Sequence, residues 1–467
     1  MLSRNRIGSS LPLVALFATS FVVACGAGSD DAADGSVPIG GTNAGGSNAG
    51  GSSEGGQAMP GGSTSSFDPT GGGTTQPGCD AQPNQDKDKD GFSINDGDCN
   101  DCDGNVNPGA IEVIGAMPSG GGDGGGGTGG AGGAGGNNGT GGSGGAAEYV
   151  PADEDCDGEA DNVAAPDCDA GLLLTSADPM DGARAIELCK VAATDKDWGV
   201  IGAEYVSANG ALKPADVKVG ILASFGTNVP PQQGSSVLAL SSGTARLPGQ
   251  PGACTSNSCG TYGAQTAPPN FPADVPGCPV ATSIHDDIAL EVAMRAPTNA
   301  TGYRFDFKFT SFEFAEYVCT NFNDQFIALV TPPPMGAQNG NISFDSLGNP
   351  VSVNIAFFDV CEYPSDFALN CTGATCPTEP PNLCSAGGSQ LIGTGFDNGF
   401  GAAFPEDAGG TSWLRTEAPV EGGSAFAVRF AIWDTGDSSW DSTAIIDNFQ
   451  WIADGGSVLV GTNPVPE

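Results

Sequence analysis

One histidine, His285, serves a chain of 467 residues. Imidazole is the usual general base near neutral pH and a common nitrogen ligand of zinc and copper, so chemistry that needs several histidines is excluded. Basic residues are scarce too: 15 Lys plus Arg face 55 Asp plus Glu, a formal net charge of -40. A surface that neutralises a phosphate backbone cannot be assembled from so few cations, so no nucleic-acid partner is expected. Cations are the natural partners. The apolar stretch Leu11 to Val23 is too short for a comfortable membrane span. Glycine (75) and proline (34) are abundant instead, so much of the length is not core.

The beginning of the chain has an export order: Arg4 and Arg6, the apolar stretch, then Val22-Val23-Ala24-Cys25. This resembles a bacterial lipoprotein signal with its lipobox. The resemblance implies removal of residues 1–24 and lipidation of Cys25, with several acyl chains giving a firm membrane anchor. Gly26 follows the cysteine in place of the aspartate that retains many lipoproteins at the inner membrane, which implies the outer membrane and surface of a Gram-negative bacterium. Residues 25–78 are Gly, Ser, Thr, Asn and Ala with scattered acids and read as a disordered tether with a reach of roughly 40 Å. A second Gly-rich tract, 115–147, reads as an insertion in the acidic module that spans 79–168.

That module carries the metal chemistry. Asp86, Asp88 and Asp90 fall at positions 1, 3 and 5 of a loop whose sixth residue is Gly91, the start of an EF-hand-type calcium loop, with the Phe92 backbone carbonyl as a further ligand. Position 12 is Gly97 instead of a bidentate glutamate, leaving Asp96 or Asp98 to close the site. Such exposed modules bind calcium at about 10⁻⁴ to 10⁻³ M. Asp98-Cys99-Asn100-Asp101-Cys102-Asp103, Val106-Asn107-Pro108-Gly109-Ala110-Ile111-Glu112 and Glu154-Asp155-Cys156-Asp157-Gly158-Glu159-Ala160-Asp161 follow in order. Together, residues 86–161 resemble the metal-binding motif of MopE-like secreted bacterial proteins. The resemblance makes Asp101, Asp103, Asp155, Asp157 and Asp161 further ligands, with the last three forming the second half of one site across the glycine insertion. Calcium is the expected ion; copper, which needs soft or imidazole ligands, fits poorly.

Fifteen cysteines less Cys25 leave an even number for disulfides. An odd set belongs to the acidic module, so one bridge must cross its boundary, and Cys168 to Cys189 is the expected one. From about residue 170 the pattern changes. Asp178 as cap and Pro179 at the first turn predict a single helix over 179–190. Period-two alternation follows at 288–295 and 303–310, with further strand candidates at 218–225, 236–241, 326–331, 351–359, 425–433 and 443–452. The fold class expected is mainly β: a C-terminal antiparallel, jelly-roll-like β-sandwich over 169–455 with one short helix at its start, then a tail at 456–467.

Arg295 to Val330, with its S-x-E-F-x-E-Y-V-C step, and Asp437 to Trp451, with D-S-T-x-x-I-D-N-F, resemble the choice-of-anchor L domain over about 172–455. That family is a surface module with no established reaction. The resemblance makes Glu313, Glu316, Asn323 and Asp324 a polar network or second cation site, and Asp434, Asp441 and Asp447 raise the same question from residue type alone. Trp413, Trp433, Trp440 and Trp451 offer a sugar-stacking face, although Trp433 and Trp451 fall in strands and read as core. The functional expectation is a non-catalytic, lipid-anchored, calcium-binding surface protein used in adhesion or in envelope or matrix organisation. A carbohydrate-binding protein is the alternative, with a surface glycan or matrix protein as partner; a carboxylate-based glycoside hydrolase is weaker.

Overall fold

The computed structural model describes residues 80–113, 153–160, 168–260, 263–314, 317–355, 357–361, 385–397, 408–453 and 456–466, all within the unit Ser65–Glu467. The signal segment, Cys25, the tether, the glycine insertion, Asp161 and Glu316 lie outside the described residues. Helix α1 (Pro179–Arg184) is followed by β1 (Gly199–Val206), β2 (Val219–Leu222), β3 (Val237–Ser241), β4 (Ile284–Arg295), β5 (Gly302–Ser311), β6 (Gln325–Thr331) and β7 (Val351–Ser352). Then come β8 (Phe358–Cys361), β9 (Gly409–Thr411), β10 (Leu414–Pro419), β11 (Ala425–Thr435), β12 (Ser442–Ile452) and β13 (Gly461–Pro464). One sheet runs β1-β4-β11-β6-β7 and the other β13-β10-β5-β12-β3-β2, with β9 bridging β5 and β8; every pairing is antiparallel.

The alternation explains the layering. Ile288, Leu290, Val292 and Met294 of β4 and Tyr303, Phe305, Phe307 and Phe309 of β5 are fully buried in the main core between the sheets. Each such side chain contributes roughly 1.5–3 kcal/mol of burial. Aromatic rings interlock there: Phe307 meets Phe326 at 4.9 Å and Phe305 meets Phe430 edge-on at 5.0 Å. β4 keeps the expected half-buried alternation at Glu291, Ala293 and Arg295, whereas on β5 the outward Asp306, Lys308 and Thr310 are buried as well. A second cluster with Phe225, Phe312, Leu391 and Phe396 lies against the other face of β2, β3 and β12, and a third around Trp433 and Phe271 covers β11. Asp306 on β5 is therefore 0% exposed, and the Arg415 guanidinium satisfies it with two hydrogen bonds of 2.7 and 2.8 Å.

Helix α1 begins where expected, with Asp178 accepting from the Met180 amide at 3.0 Å. It stops at Arg184, short of Lys190, because Glu187 adopts φ 67° and offers its carboxylate to the Asn448 amide. Cys168 and Cys189 form the expected bridge. The candidate strand at 351–359 is two separate strands, β7 and β8. Four strands had not been anticipated: β1, β9, β10 and β13, the last an edge strand within 456–467 that pairs with β10.

Candidate metal centre

The acidic loop is built by backbone amides: Asp86 accepts with both oxygens, from Lys89 N at 2.6 Å and Gly91 N at 3.1 Å, and four further carboxylates accept with one. Asp90 N donates to Asp88 Oδ1 at 3.4 Å, Phe92 N to Asp90 Oδ1 at 2.8 Å, Asn100 N to Asp98 Oδ1 at 2.8 Å and Lys87 N to Asp101 Oδ1 at 2.8 Å. In every case the second oxygen, Oδ2, is buried and has no hydrogen-bond donor. Asn100 Oδ1 is buried and unbonded as well. Asp98 and Asp101 are only 4% and 2% exposed. Asp88, Asp98 and Asp101 can bring one oxygen each within 4.8 Å of the others, and so can Asp86, Asp88 and Asp90. Buried acceptors without donors are costly unless something positive sits among them. Desolvation, with neighbouring carboxylates adding to it, pushes both Asp90 and Asp98 up to about 6.

The donors are all hard oxygens, which suits calcium, an ion that takes six to eight of them at adaptable distances. Of the two candidates for closing the loop, Asp98 is the one whose carboxylate lies with those of Asp88 and Asp101. Asp96 is turned elsewhere: it is exposed, accepts from the Ser93 hydroxyl and pairs with Lys196 at 3.1 Å. Asp103 is exposed and accepts from Asn105, apart from these groups. The Phe92 side chain is buried, packing on Gly109 and lying 5.1 Å beneath the Lys196 ammonium.

Asp155 and Asp157 do not complete this first cluster. They belong to a second loop, Asp153-Glu154-Asp155-Cys156-Asp157-Gly158, whose bonding repeats the first position by position. Gly91 N and Gly158 N donate to the first aspartates, Asp86 and Asp153, at 3.1 and 3.0 Å; Phe92 N and Glu159 N donate to the third, Asp90 and Asp157, at 2.8 Å each. Gly91 and Gly158 lie at φ 100° and 95°, which glycine adopts without strain. Glu112, Asp153 and Asp155 bring oxygens within 4.8 Å of one another. Burial raises Asp155 above the ordinary carboxylate value. Cys99–Cys156 fastens the two loops together, and Cys102 is disulfide-bonded too, so neither cysteine presents a thiolate. Asp153 and Glu112 join the candidate ligands only through the structure, although the repeated D-x-D-x-D-G spacing was there to find the first.

The Pro108-Gly109-Ala110 turn docks the module on the sandwich. Asn107 Oδ1 accepts from Gly109 N and from the Thr298 hydroxyl, both at 2.8 Å, and Thr298 N donates to Gly109 O at 2.9 Å. Asn299 closes a two-way bond with the Ile111 backbone at 3.0 and 2.7 Å.

Residues 218–449 match the family model of the choice-of-anchor L domain. No curated protein matches the chain. The matched region covers β2 through most of β12, and the likeness over that region suggests a β-rich cell-surface protein.

Within the matched region, Glu313, Asn323, Asp324, Asp434 and Asp441 are all buried. Glu313 Oε2 accepts from Asp324 N at 3.2 Å; Asp324 accepts from Thr435 N at 2.8 Å and from the Ser442 hydroxyl at 2.6 Å. Asp447 belongs to another network. Its carboxylate takes the Gln232, Gln233 and Asn448 amides, and with Glu187 beside it burial raises Asp447 to about 7 and Glu187 to about 9. Trp433 is fully buried and Trp451 packs among Tyr303, Phe426 and Phe449, which removes both from any sugar-stacking face. The grouping Cys254, Cys259 and Asp441 offers no thiolate, since the two sulfurs form a disulfide.

Proposed function

We propose that this chain is a non-catalytic, lipid-anchored surface protein in which a calcium-stapled loop module braces a choice-of-anchor L sandwich used in adhesion or in envelope or matrix organisation. The observation that carries the calcium reading is the set of buried, donor-free Oδ2 atoms of Asp88, Asp90, Asp98 and Asp101. A module this small has little core of its own, and a cation among its carboxylates would hold the loop against Thr298 and Asn299. Lipid anchoring rests on the Val22-Val23-Ala24-Cys25 sequence, and the outer-membrane address on Gly26. Support for a non-catalytic role comes from Glu313 and Asp324: glycosidase carboxyls must reach a substrate, whereas these two are buried and bonded to the backbone or to each other's neighbours.

The test is thermal unfolding of the exported protein after chelation, with calcium or copper added back at millimolar levels. Calcium raises the melting temperature and copper does not. A melting curve indifferent to calcium removes the metal reading.

A further inference from the structure

Lys218 is buried between the two sheets, in contact with an acid from the opposite one. It immediately precedes β2, whereas Asp286 belongs to β4, so the pair spans the sandwich. Their side chains are 2% and 0% exposed, and Lys218 Nζ lies 3.0 Å from Asp286 Oδ1. The same ammonium donates to the Ser242 carbonyl.

A bulge delivers the aspartate. His285 pairs with Asp434 and Ile288 with Ile432, so Asp286 and Asp287 together stand opposite Trp433, and Asp286 adopts φ 52°, a left-handed conformation that few residues other than glycine take. Asp287 turns to Lys213 instead, at 2.8 Å. Backbone closes over the Asp286 carboxyl: a Cβ on Gly260 would fall 2.3 Å from Oδ2 and 2.4 Å from Cγ, so any side chain there would displace it. Asp441, 4% exposed, is a charged neighbour of both Lys218 and Asp286. Its Oδ2 accepts from Cys259 N at 2.8 Å, its Oδ1 is buried without a donor, and burial raises this acid to about 7.

An ion pair taken wholly out of water costs several kcal/mol per charge in desolvation, which mutual attraction recovers only in part. Condensation removes both charges. In solution an amine and a carboxylate do not condense, because they meet rarely and water surrounds the product. Here the two groups are held in contact, a gain that reaches effective concentrations of about 10⁵–10⁸ M in well-oriented systems, and the site is dry. We propose that Lys218 and Asp286 become joined by an intramolecular amide bond, a covalent staple between the two sheets. The Lys218 ammonium passes one proton to the Asp286 carboxylate, and Nζ attacks Cγ. The Nζ–Cγ bond forms, a Cγ–O bond breaks, and the oxygen leaves as water with a second proton from Nζ, relayed by Asp441. Asp441 ends as it began, and no oxidant or second substrate is consumed. This is one event within the chain, not turnover, and it does not rest on the calcium reading. Its effect is to lock β2 to β4 against forces that pull the sheets apart.

The experiment is a peptide map of the full exported chain, reduced, alkylated, unfolded and digested with trypsin. Cleavage after Lys218 should be blocked. Tandem mass spectrometry should find a branched peptide that carries Lys218 and Asp286 and is lighter by one water than its two linear parts. Recovery of Lys218 throughout the sample as an ordinary tryptic terminus would overturn the proposal, since it leaves an ion pair alone. Lys218→Arg and Asp286→Ala should each abolish the branched peptide, and Asp441→Asn should leave most chains unjoined; an undiminished yield in Asp441→Asn would overturn the relay. The wild-type map decides whether the bond exists even if a variant fails to fold.

Discussion

Replacing Asp98 with asparagine separates a metal ligand from a merely acidic side chain, because the two roles give effects of opposite sign. Asparagine keeps the shape and the oxygen that accepts from Asn100 N, and it removes the charge that faces Asp88 and Asp101. With calcium at 10 mM and a dissociation constant of about 10⁻⁴ to 10⁻³ M, binding to the native state stabilises the wild type by about 1.4–2.7 kcal/mol. At about 2–4 °C per kcal/mol for a unit of this size, the calcium-induced shift is about 3–11 °C. The variant should lose most of that shift. In chelator it should melt at least as high as wild type, since a buried carboxylate held near 6 by desolvation and its acidic neighbours no longer has to ionise. The pH dependence follows the same logic. Metal-free wild type loses stability as pH rises from the ordinary carboxylate value through about 6, whereas calcium binds the ionised form and loses its grip as pH falls through about 6. Differential scanning calorimetry at pH 5 and 7.5, with and without calcium, reads all four arms. Equal calcium shifts in wild type and variant would refute the ligand role of Asp98.

Glu187→Gln should flatten the stability profile between pH 5 and 9: the folded value of about 9 lies above the ordinary carboxylate value, so the protonated acid stabilises at low pH and that contribution is lost as pH rises; urea titrations at pH 5, 7 and 9 measure it. Arg415→Met strands Asp306 with the Asn448 amide as its remaining side-chain donor, and chemical denaturation should show a loss of about 3–5 kcal/mol; a loss under 1 kcal/mol would mean the pair is dispensable. Asn107→Ala removes the acceptor shared by Gly109 and Thr298 and should cost about 1–3 kcal/mol, seen as faster proteolysis within 80–113 while the sandwich stays resistant.

What could be read in advance was whatever is local. The alternation of β4 and β5, the Asp178 cap and the D-x-D-x-D-G spacing each depend on residues a few positions apart, and parity alone pointed to a bridge such as Cys168–Cys189. The outer burial of Asp306 was not legible, because Arg415 reaches it from another strand more than one hundred residues on. For the same reason Asp96 looked like a ligand: its partner Lys196 is distant in sequence. Strand β13, Gly-Thr-Asn-Pro, has neither apolar alternation nor strand-forming residues beyond Thr462, and exists by pairing with β10. Glu187 broke the helix through a contact with Asn448 that no helical periodicity encodes.

Equilibrium dialysis against calcium, comparing the exported chain with its Asp88→Asn, Asp98→Asn, Asp101→Asn form, tests the metal reading most directly. Saturable calcium uptake at sub-millimolar to millimolar concentration that the triple substitution removes is expected. No saturable uptake by the wild type, or the same uptake by both proteins, would contradict it.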